Sequence, residues 1–286
     1  MDSPHGSPRR KGSVNKSGTN SCVVKKMNMA EYCTGGKIHG VDMTPSNTLI
    51  KVLYSQKAKE RFDAEIAAAN ILAQIDPRQE DYLYALGGCH VGLNKALNEK
   101  CEIDQPELYL LEIQDGGESL ATADIEFTEK EAEEILNKIV HKLQKLHSHQ
   151  IIHGDFHGGN IVIDTHRNIK FIDFADLQHI EDKERFKLEK HRDLHRFSTI
   201  LSAIGAKTVE GNYRTALIKT GYGFSRIKPY SIDQVLNKLN ENMEGSSSES
   251  PKKKPRRHRS PSPMDLANDS PPRRKPLDLR GRVLDF

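Results

Sequence analysis

Residues 151–177, IIHGDFHGGNIVIDTHRNIKFIDFADL, constrain the fold of this chain more than any other segment. His153, Asp155 and Asn160 lie in a short glycine-rich loop, and Asp173 follows Asn160 by thirteen residues. The apolar runs IVID and IKFID between them predict two short strands joined by a turn. Because the two ends of a hairpin lie side by side, we expect Asp155, Asn160 and Asp173 to meet at one edge.

The side chains expected at this edge provide only hard oxygen ligands, two carboxylates and one amide carbonyl. Mg²⁺ prefers such ligands and keeps coordination positions for water and phosphate oxygens, whereas zinc sites are built mainly from nitrogen and sulfur. The loop therefore predicts a site for magnesium and a phosphate-bearing substrate. A polar turn that contains Asp and Asn by chance is the alternative interpretation.

Two charges of opposite sign are predicted to be buried upstream of this loop. Lys51 lies in the middle of TLIKVLY (48–54), a strand-forming run where a charge is costly unless it is paired. Glu65 is the lone charge on the apolar stripe of a helix predicted over residues 57–75. Pairing Lys51 with Glu65 removes both costs. The alternative for Lys51 is an edge strand from which its amine reaches water.

The rest of the sequence predicts strands in the first half and helices in the second. LYLLEI (108–113) indicates another strand, closed by Asp-Gly-Gly. A capping box at Thr128 and Glu131 begins the most amphipathic helix of the chain, and a further helix is predicted over residues 192–204. This order favours an α+β fold.

HGDFHGGN followed by IDFAD resembles the catalytic loop and the metal-binding triplet of the protein-kinase-like superfamily. The resemblance implies that Asp155 orients and deprotonates an attacking hydroxyl. It also implies that Asn160 and Asp173 hold Mg²⁺ on the phosphates of ATP. His153 would brace the loop against Phe174.

The same resemblance assigns roles to residues upstream. Lys51 would hold the α- and β-phosphates of ATP, and Glu65 would hold Lys51. LYLLEIQDGG resembles the hinge between the two kinase lobes, where backbone groups near Glu112 and Gln114 would bind adenine.

The phosphate-covering glycine loop of the family has a weaker match. Its candidates are Gly35, Gly36 and Gly40 in CTGGKIHGV, where glycine would let backbone N–H groups approach phosphate. Their spacing departs from G-x-G-x-x-G, and an ordinary turn explains them equally well.

Three features depart from typical protein kinases. Ala175 replaces the glycine of the metal triplet, and His157 stands where Ser/Thr kinases usually carry lysine, as in small-molecule phosphotransferases. Asp193, which resembles the aspartate that begins the central helix of the second lobe, follows Asp173 by only twenty residues. A short segment of this kind resembles the RIO and KEOPS-associated kinases, and the upstream segments resemble the protein kinases of large DNA viruses.

The resemblance implies a bilobal fold with disordered tails. We expect a small β-rich N-lobe over residues 22–113, a reduced helical C-lobe over 114–245, and disordered tails over 1–21 and 246–286. The tails carry net charges of +3 and +6, whereas the segment between them carries −6. This division argues against a nucleic-acid-binding core. No apolar run is long enough for a membrane span, and the N-terminus lacks the apolar core of a signal peptide.

The four cysteines and the basic tail suggest where the protein acts. Cys22, Cys33, Cys89 and Cys101 form no CxxC pair, so we expect reduced thiols in the cytoplasm or nucleus, in a host cell or virion if the source is viral. KKKPRRHR (252–259) resembles a nuclear-import signal, which makes an import receptor one candidate partner. Nonspecific contact with nucleic acid explains this motif equally well.

These predictions favour an ATP- and Mg²⁺-dependent protein kinase that phosphorylates Ser or Thr hydroxyls of a protein substrate. Two alternatives remain open at this point. His157 and the short segment before Asp193 favour a small-molecule phosphotransferase similar to aminoglycoside and choline kinases. The other is a pseudokinase or ATP-switched scaffold, including a KEOPS-like ATPase, that would use the basic tail to bind nucleic acid or a protein partner. The sequence makes no prediction about the oligomeric state.

Overall fold

The computed structural model of the chain describes residues 14–17, 21–25, 32–33, 48–224 and 231–248. All of them belong to the first of two units into which the chain divides, residues 1–249.

The first half of the described chain forms an antiparallel sheet of five strands. They are β1 (Val14–Ser17), β2 (Ser21–Lys25), β3 (Thr48–Leu53), β4 (Gly87–Val91) and β5 (Leu108–Gln114). Their spatial order is β1-β2-β3-β5-β4. Helix α1 (Ala58–Ile75) connects β3 to β4 and packs on one face of the sheet, and α2 (Lys95–Cys101) connects β4 to β5 and packs on the other.

The second half is mainly helical and includes two small sheets. Its helices are α3 (Glu129–Ser148), α4 (Lys183–Glu189), α5 (His191–Lys207), α6 (Asn212–Phe224) and α7 (Ile232–Ser248). One sheet joins β6 (Glu118–Ser119), β8 (Ile161–Ile163) and β9 (Ile169–Phe171), and the other pairs β7 (Ile151–Ile152) with β10 (Gln178–His179). A β-rich part followed by a helical part is the α+β fold predicted above.

Helix α3 forms for the reasons expected from its sequence. Thr128 Oγ1 accepts a hydrogen bond from the Glu131 N–H, and Glu131 Oε2 accepts one from the Thr128 N–H, so the predicted capping box is confirmed. The apolar stripe of the helix is buried in the main core, including Ile139 and Leu143. This core is continuous from α1 through α3 to α5. Helix α3 is therefore part of the packed core that supports the site described below.

The connection between α1 and β4 attaches the five-stranded sheet to the helical half. The Asp76 carboxylate accepts hydrogen bonds from the backbone N–H groups of Glu80, Asp81 and Tyr82, which fixes the connection. The Asp81 carboxylate in turn pairs with Lys142 and Lys145 on α3. Backbone hydrogen bonds also join this connection to β9. No described helix is long and apolar enough to cross a membrane.

The ordered fold extends further at both ends than the sequence predicted. Strand β1 lies inside residues 1–21, the predicted disordered tail, and it pairs with β2 from Val14↔Val24 to Ser17↔Ser21. The short polar run of β1 contains little to bury, and its partner strand, rather than its own composition, holds it. Helix α7 likewise continues to Ser248, three residues beyond the predicted boundary.

The prediction of four free thiols is wrong. The structure contains two disulfides, Cys22–Cys101 and Cys33–Cys89, each with a Cα–Cα distance of 5.9 Å. Cys22 and Cys101 are both buried, and their disulfide attaches α2 to β2 across the second hydrophobic cluster of the sheet. The partners lie 79 and 56 residues apart in sequence, so spacing alone gave no indication of the pairing.

Reduction should lower the stability of the β-rich part measurably. In a Cys33→Ala/Cys89→Ala background only Cys22–Cys101 remains, and a bridge across 79 residues is expected to contribute about 4 kcal/mol to the free energy of unfolding. Thermal unfolding with and without a phosphine reductant measures the difference, and peptide mapping under non-reducing conditions identifies the pair. Rapid alkylation of all four cysteines in native, unreduced protein would contradict the assignment.

Candidate active site

Lys51, Glu65 and Asp173 form a buried charge cluster between the sheet and the helical half. Lys51 lies in the centre of β3, between Val23 of β2 and Leu111 of β5. Its Nζ donates a hydrogen bond to Glu65 Oε1 on α1 at 2.6 Å and lies 3.0 Å from Asp173 Oδ1. The structure thus joins the two residues predicted to pair and adds a residue from the downstream motif.

The electrostatics of the cluster keep its charges in place. Burial works against the Lys51 charge, but Glu65 and Asp173 outweigh that cost and raise the pKa of Lys51 above its usual value. Burial also works against ionised Asp173, yet Lys51 lowers the pKa of Asp173 to about 2. Burial raises the pKa of Glu65, with Lys51 opposing the rise and Asp173 adding to it. Lys51 is therefore a cation and Asp173 an anion at neutral pH.

The loop after β7 is held by an aspartate on α5. The two Asp193 carboxylate oxygens accept hydrogen bonds from the His153 and Gly154 N–H groups, both at 2.9 Å, and Asp193 Oδ2 lies 3.0 Å from His147 Nε2. Gly154 has φ +83°, and a Cβ there would collide with the Asp176 carbonyl, so only glycine fits. Sequence analysis placed Asp193 at the start of a helix but missed its role as the anchor of the loop.

Asp193 should make the free energy of unfolding depend on pH. Burial opposes its charge, but the hydrogen bond from His147 lowers the pKa of Asp193 below its ordinary value. The contribution of Asp193 to stability is therefore fully present above the ordinary aspartate pKa. It is lost as the pH falls through the lowered pKa of Asp193. We expect Asp193→Asn to cost about 2–4 kcal/mol at pH 7 and less at pH 3, because the ionised acceptor is lost. Urea unfolding at both pH values measures this, and an equal cost at the two would contradict it.

The Asp155 carboxylate lies at the surface of this loop with three neighbours. Asn160 Nδ2 donates to Asp155 Oδ2 at 3.2 Å and to the Asp155 carbonyl at 2.8 Å. His157 Nε2 lies 3.4 Å from Oδ2, and because His157 Nδ1 accepts from the Gly159 N–H, its proton is on Nε2. On the other side, Arg196 Nη1 donates to Asp155 Oδ1 at 2.6 Å. Sequence analysis did not identify Arg196, which lies 41 residues from Asp155 along the chain.

His153 supports the loop from below. Its ring is buried 4.8 Å from that of Phe174, and its Nε2 lies 3.1 Å from the Ile172 carbonyl. Burial lowers the pKa of His153, so the ring is neutral at pH 7 and donates to that carbonyl. The Ile172 N–H in turn donates to the Asn160 carbonyl at 3.0 Å, which ties the loop to the strand that leads to Asp173.

The donor set fits magnesium bound together with a phosphate-bearing substrate. The Asn160 amide nitrogen faces Asp155, so its oxygen is directed elsewhere, and the Asp173 side chain is 30% exposed. Among the described residues no group of three or more His, Cys, Asp or Glu could hold a metal alone. One carboxylate and one amide oxygen match Mg²⁺, which takes few protein ligands and completes its shell with water and phosphate.

The adenine contact predicted near Glu112 and Gln114 stays a prediction, and the structure shows how the backbone of Glu112 is paired. Strand β5 continues through Glu112, whose carbonyl accepts the Leu86 N–H at 2.8 Å, and Glu112 pairs with Ile50 on the opposite side. Gln114 ends the strand, opposite Thr48. The strand is apolar again at Ile113 after Glu112, so its sequence pattern does not mark where pairing stops.

The glycine loop proposed from the sequence stays a prediction. Gly35, Gly36 and Gly40 lie outside the described residues, within the connection from β2 to β3. In the sheet, the hairpin beside β3 is formed by β1 and β2, and Val23 of β2 pairs with Lys51.

Comparison with known proteins identifies part of this arrangement. Residues 96–193 match the family model for the protein kinase domain. The matched segment includes the Asp155 loop and Asp173 and ends on Asp193, whereas Lys51 and Glu65 precede it. No curated protein matches the chain. The geometry joins the matched segment to the Lys51–Glu65 pair in one site.

Proposed function

We propose that the chain, in which residues 96–193 match the protein kinase domain, is an ATP- and Mg²⁺-dependent kinase that phosphorylates Ser or Thr hydroxyls of a protein. The observation that carries the proposal is the contact of Lys51 with both Glu65 and Asp173 at 2.6 and 3.0 Å. A buried cation between two acids, next to a loop with a surface carboxylate, is suited to phosphate binding beside a base.

Each residue of the site would have a distinct task. Lys51, fixed by Glu65, would bind phosphate oxygens of ATP and counter their charge. Asn160 and Asp173 would hold Mg²⁺, which supplies further positive charge to the phosphates. Asp155 would accept a hydrogen bond from the acceptor hydroxyl, orient it toward the γ-phosphate and take its proton.

The adenine-binding segment in this proposal lies after Ile113. Residues 114–117 leave β5 and lead to β6, and Gly117 has φ +99°, which lets the chain turn against the Ile163 carbonyl. We propose that backbone groups of this segment bind adenine, because the carbonyl of Glu112 is already paired.

A small-molecule phosphotransferase remains the second candidate on one specific observation. Only β10, α4 and short loops lie between Asp173 and α5, so little chain is available to bind a peptide. Residues 174–192 also contain no Ser, Thr or Tyr, so phosphorylation within this segment cannot regulate the enzyme. An inactive scaffold is less well supported, since the lysine, the glutamate, the base and both metal ligands are all present.

Transfer from ATP radiolabelled at the γ-phosphate tests the proposal. The purified chain is incubated with Mg²⁺ and either mixed protein acceptors, aminoglycoside and choline acceptors, or water alone, and Asp155→Ala serves as the control. Labelled Ser or Thr that disappears in Asp155→Ala supports the protein kinase. Labelling of small molecules alone supports the second candidate, and release of free phosphate without transfer supports an ATPase. Equal labelling by wild type and Asp155→Ala rejects Asp155 as the base.

A further inference from the structure

Arg196 places a positive charge directly on the proposed base. Its Nη1 donates to Asp155 Oδ1 at 2.6 Å, although the two residues come from different elements, α5 and the loop after β7. The neighbouring α5 residues Leu194, Phe197 and Leu201 are buried in the main core. The helix therefore presents Arg196 from a fixed position, and its side chain is still 48% exposed.

The contact between Arg196 and Asp155 determines which groups an incoming acceptor hydroxyl encounters. Asn160 and His157 occupy the Oδ2 side of Asp155, which leaves Oδ1 as the oxygen that an acceptor hydroxyl can approach. That oxygen is the one bound by Arg196. An acceptor that takes its place displaces the guanidinium from its partner, and Arg196 then needs another anion close to the hydroxyl.

The face of α5 that carries Arg196 is basic. Arg192, His195 and Arg196 are spaced three and four residues apart and so share one face of α5. The only acid in this part of the helix, Asp193, is fully buried and held by the loop, so it does not neutralise the face. This charge contrasts with the net −6 of residues 22–245 as a whole.

We infer that Arg196 is a positioning and specificity residue that selects acceptors with a carboxylate next to the hydroxyl, such as Ser or Thr flanked by Asp or Glu. In the free enzyme it holds Asp155 in place, and in the complex it binds the acidic neighbour of the acceptor. The inference rests on the proposed function and adds the substrate class.

Three peptides that differ only beside the acceptor serine test the inference. Their flanking residues are Glu, Gln or Lys, and a fourth peptide with a flanking phosphoserine shows whether phosphate replaces carboxylate. For wild type we expect kcat/KM to be at least about tenfold higher with Glu than with Gln, and lowest with Lys. Arg196→Gln should remove this ratio, Arg196→Lys should retain part of it, and Arg196→Glu should favour the Lys peptide.

The ratio of kcat/KM between peptides separates a change in specificity from a folding defect, because a folding defect lowers kcat/KM equally for all peptides. Arg78→Gln is the matched control: it removes the same charge from a side chain that is 84% exposed, and it should keep the wild-type ratio. The inference is overturned, and the proposed function is not, if the wild type shows no preference among the peptides. The same holds if Arg196→Gln lowers kcat/KM equally for all of them. A wild type that binds ATP and Mg²⁺ but phosphorylates no peptide overturns the proposed function, and the inference with it.

Discussion

Lys51→Met should abolish detectable phosphotransfer and also destabilise the fold. Loss of the phosphate-binding cation is expected to lower kcat by about 10²–10³-fold. Removing one partner of a buried pair leaves Glu65 uncompensated at 4% exposure, at a cost of about 3–5 kcal/mol. Single-turnover phosphotransfer and urea unfolding measure the two effects separately.

The pH dependence of this variant identifies the cause of its instability. Burial already raises the pKa of Glu65, and without Lys51 nothing opposes that rise. Stability should therefore be fully present below the ordinary glutamate pKa and be lost as the pH rises through the raised pKa of Glu65. Lys59→Met, on the exposed side of α1, is the control and should keep wild-type activity and melting temperature. A pH-independent loss in Lys51→Met would refute the uncompensated-charge explanation.

Asp173→Asn should lower phosphotransfer strongly and change the stability of the fold only slightly. Asparagine keeps the shape of the side chain and tolerates the left-handed backbone of this position, where φ is 62°. The variant removes one charged metal ligand, and we expect transfer at fixed Mg²⁺ to fall about 10²–10³-fold. Lys51 keeps Glu65 as its partner at 2.6 Å, so the melting temperature should change much less than in Lys51→Met.

A titration with Mg²⁺ shows whether the loss comes through the metal. High Mg²⁺ should restore part of the activity of Asp173→Asn, because weaker binding is overcome by concentration. Asp124→Asn makes the same change at an exposed position and should follow the wild-type curve. An Mg²⁺ dependence in Asp173→Asn identical to that of wild type would exclude Asp173 as a metal ligand.

The parts of the site that sequence reasoning located are those where burial makes a charge costly. Lys51 and Glu65 each interrupt an apolar pattern, so one physical argument pairs them before any coordinates are known. The Asp155 loop was located because its glycines and polar residues interrupt the pattern between a long amphipathic helix and two short strands. In each case the informative residue interrupts the apolar pattern of the segment around it.

The remaining features depend on contacts between distant segments. The Cys22–Cys101 pair depends on α2 folding back over β2, and the end of β5 depends on pairing with β3 and β4. Arg196 lies 41 residues from Asp155, and nothing local in α5 indicates that the two meet. The disorder of residues 249–286, the import signal there and the compartment of the protein stay predictions, since these residues lie outside the described part of the chain.

A crystal structure with Mg²⁺ and a non-hydrolysable ATP analogue tests the central claim most directly. We predict that the triphosphate binds between Lys51 and Asp173, with the metal on Asn160 and Asp173 and with Asp155 next to the terminal phosphate. A nucleotide bound elsewhere, or one whose terminal phosphate is remote from Asp155, would contradict the account.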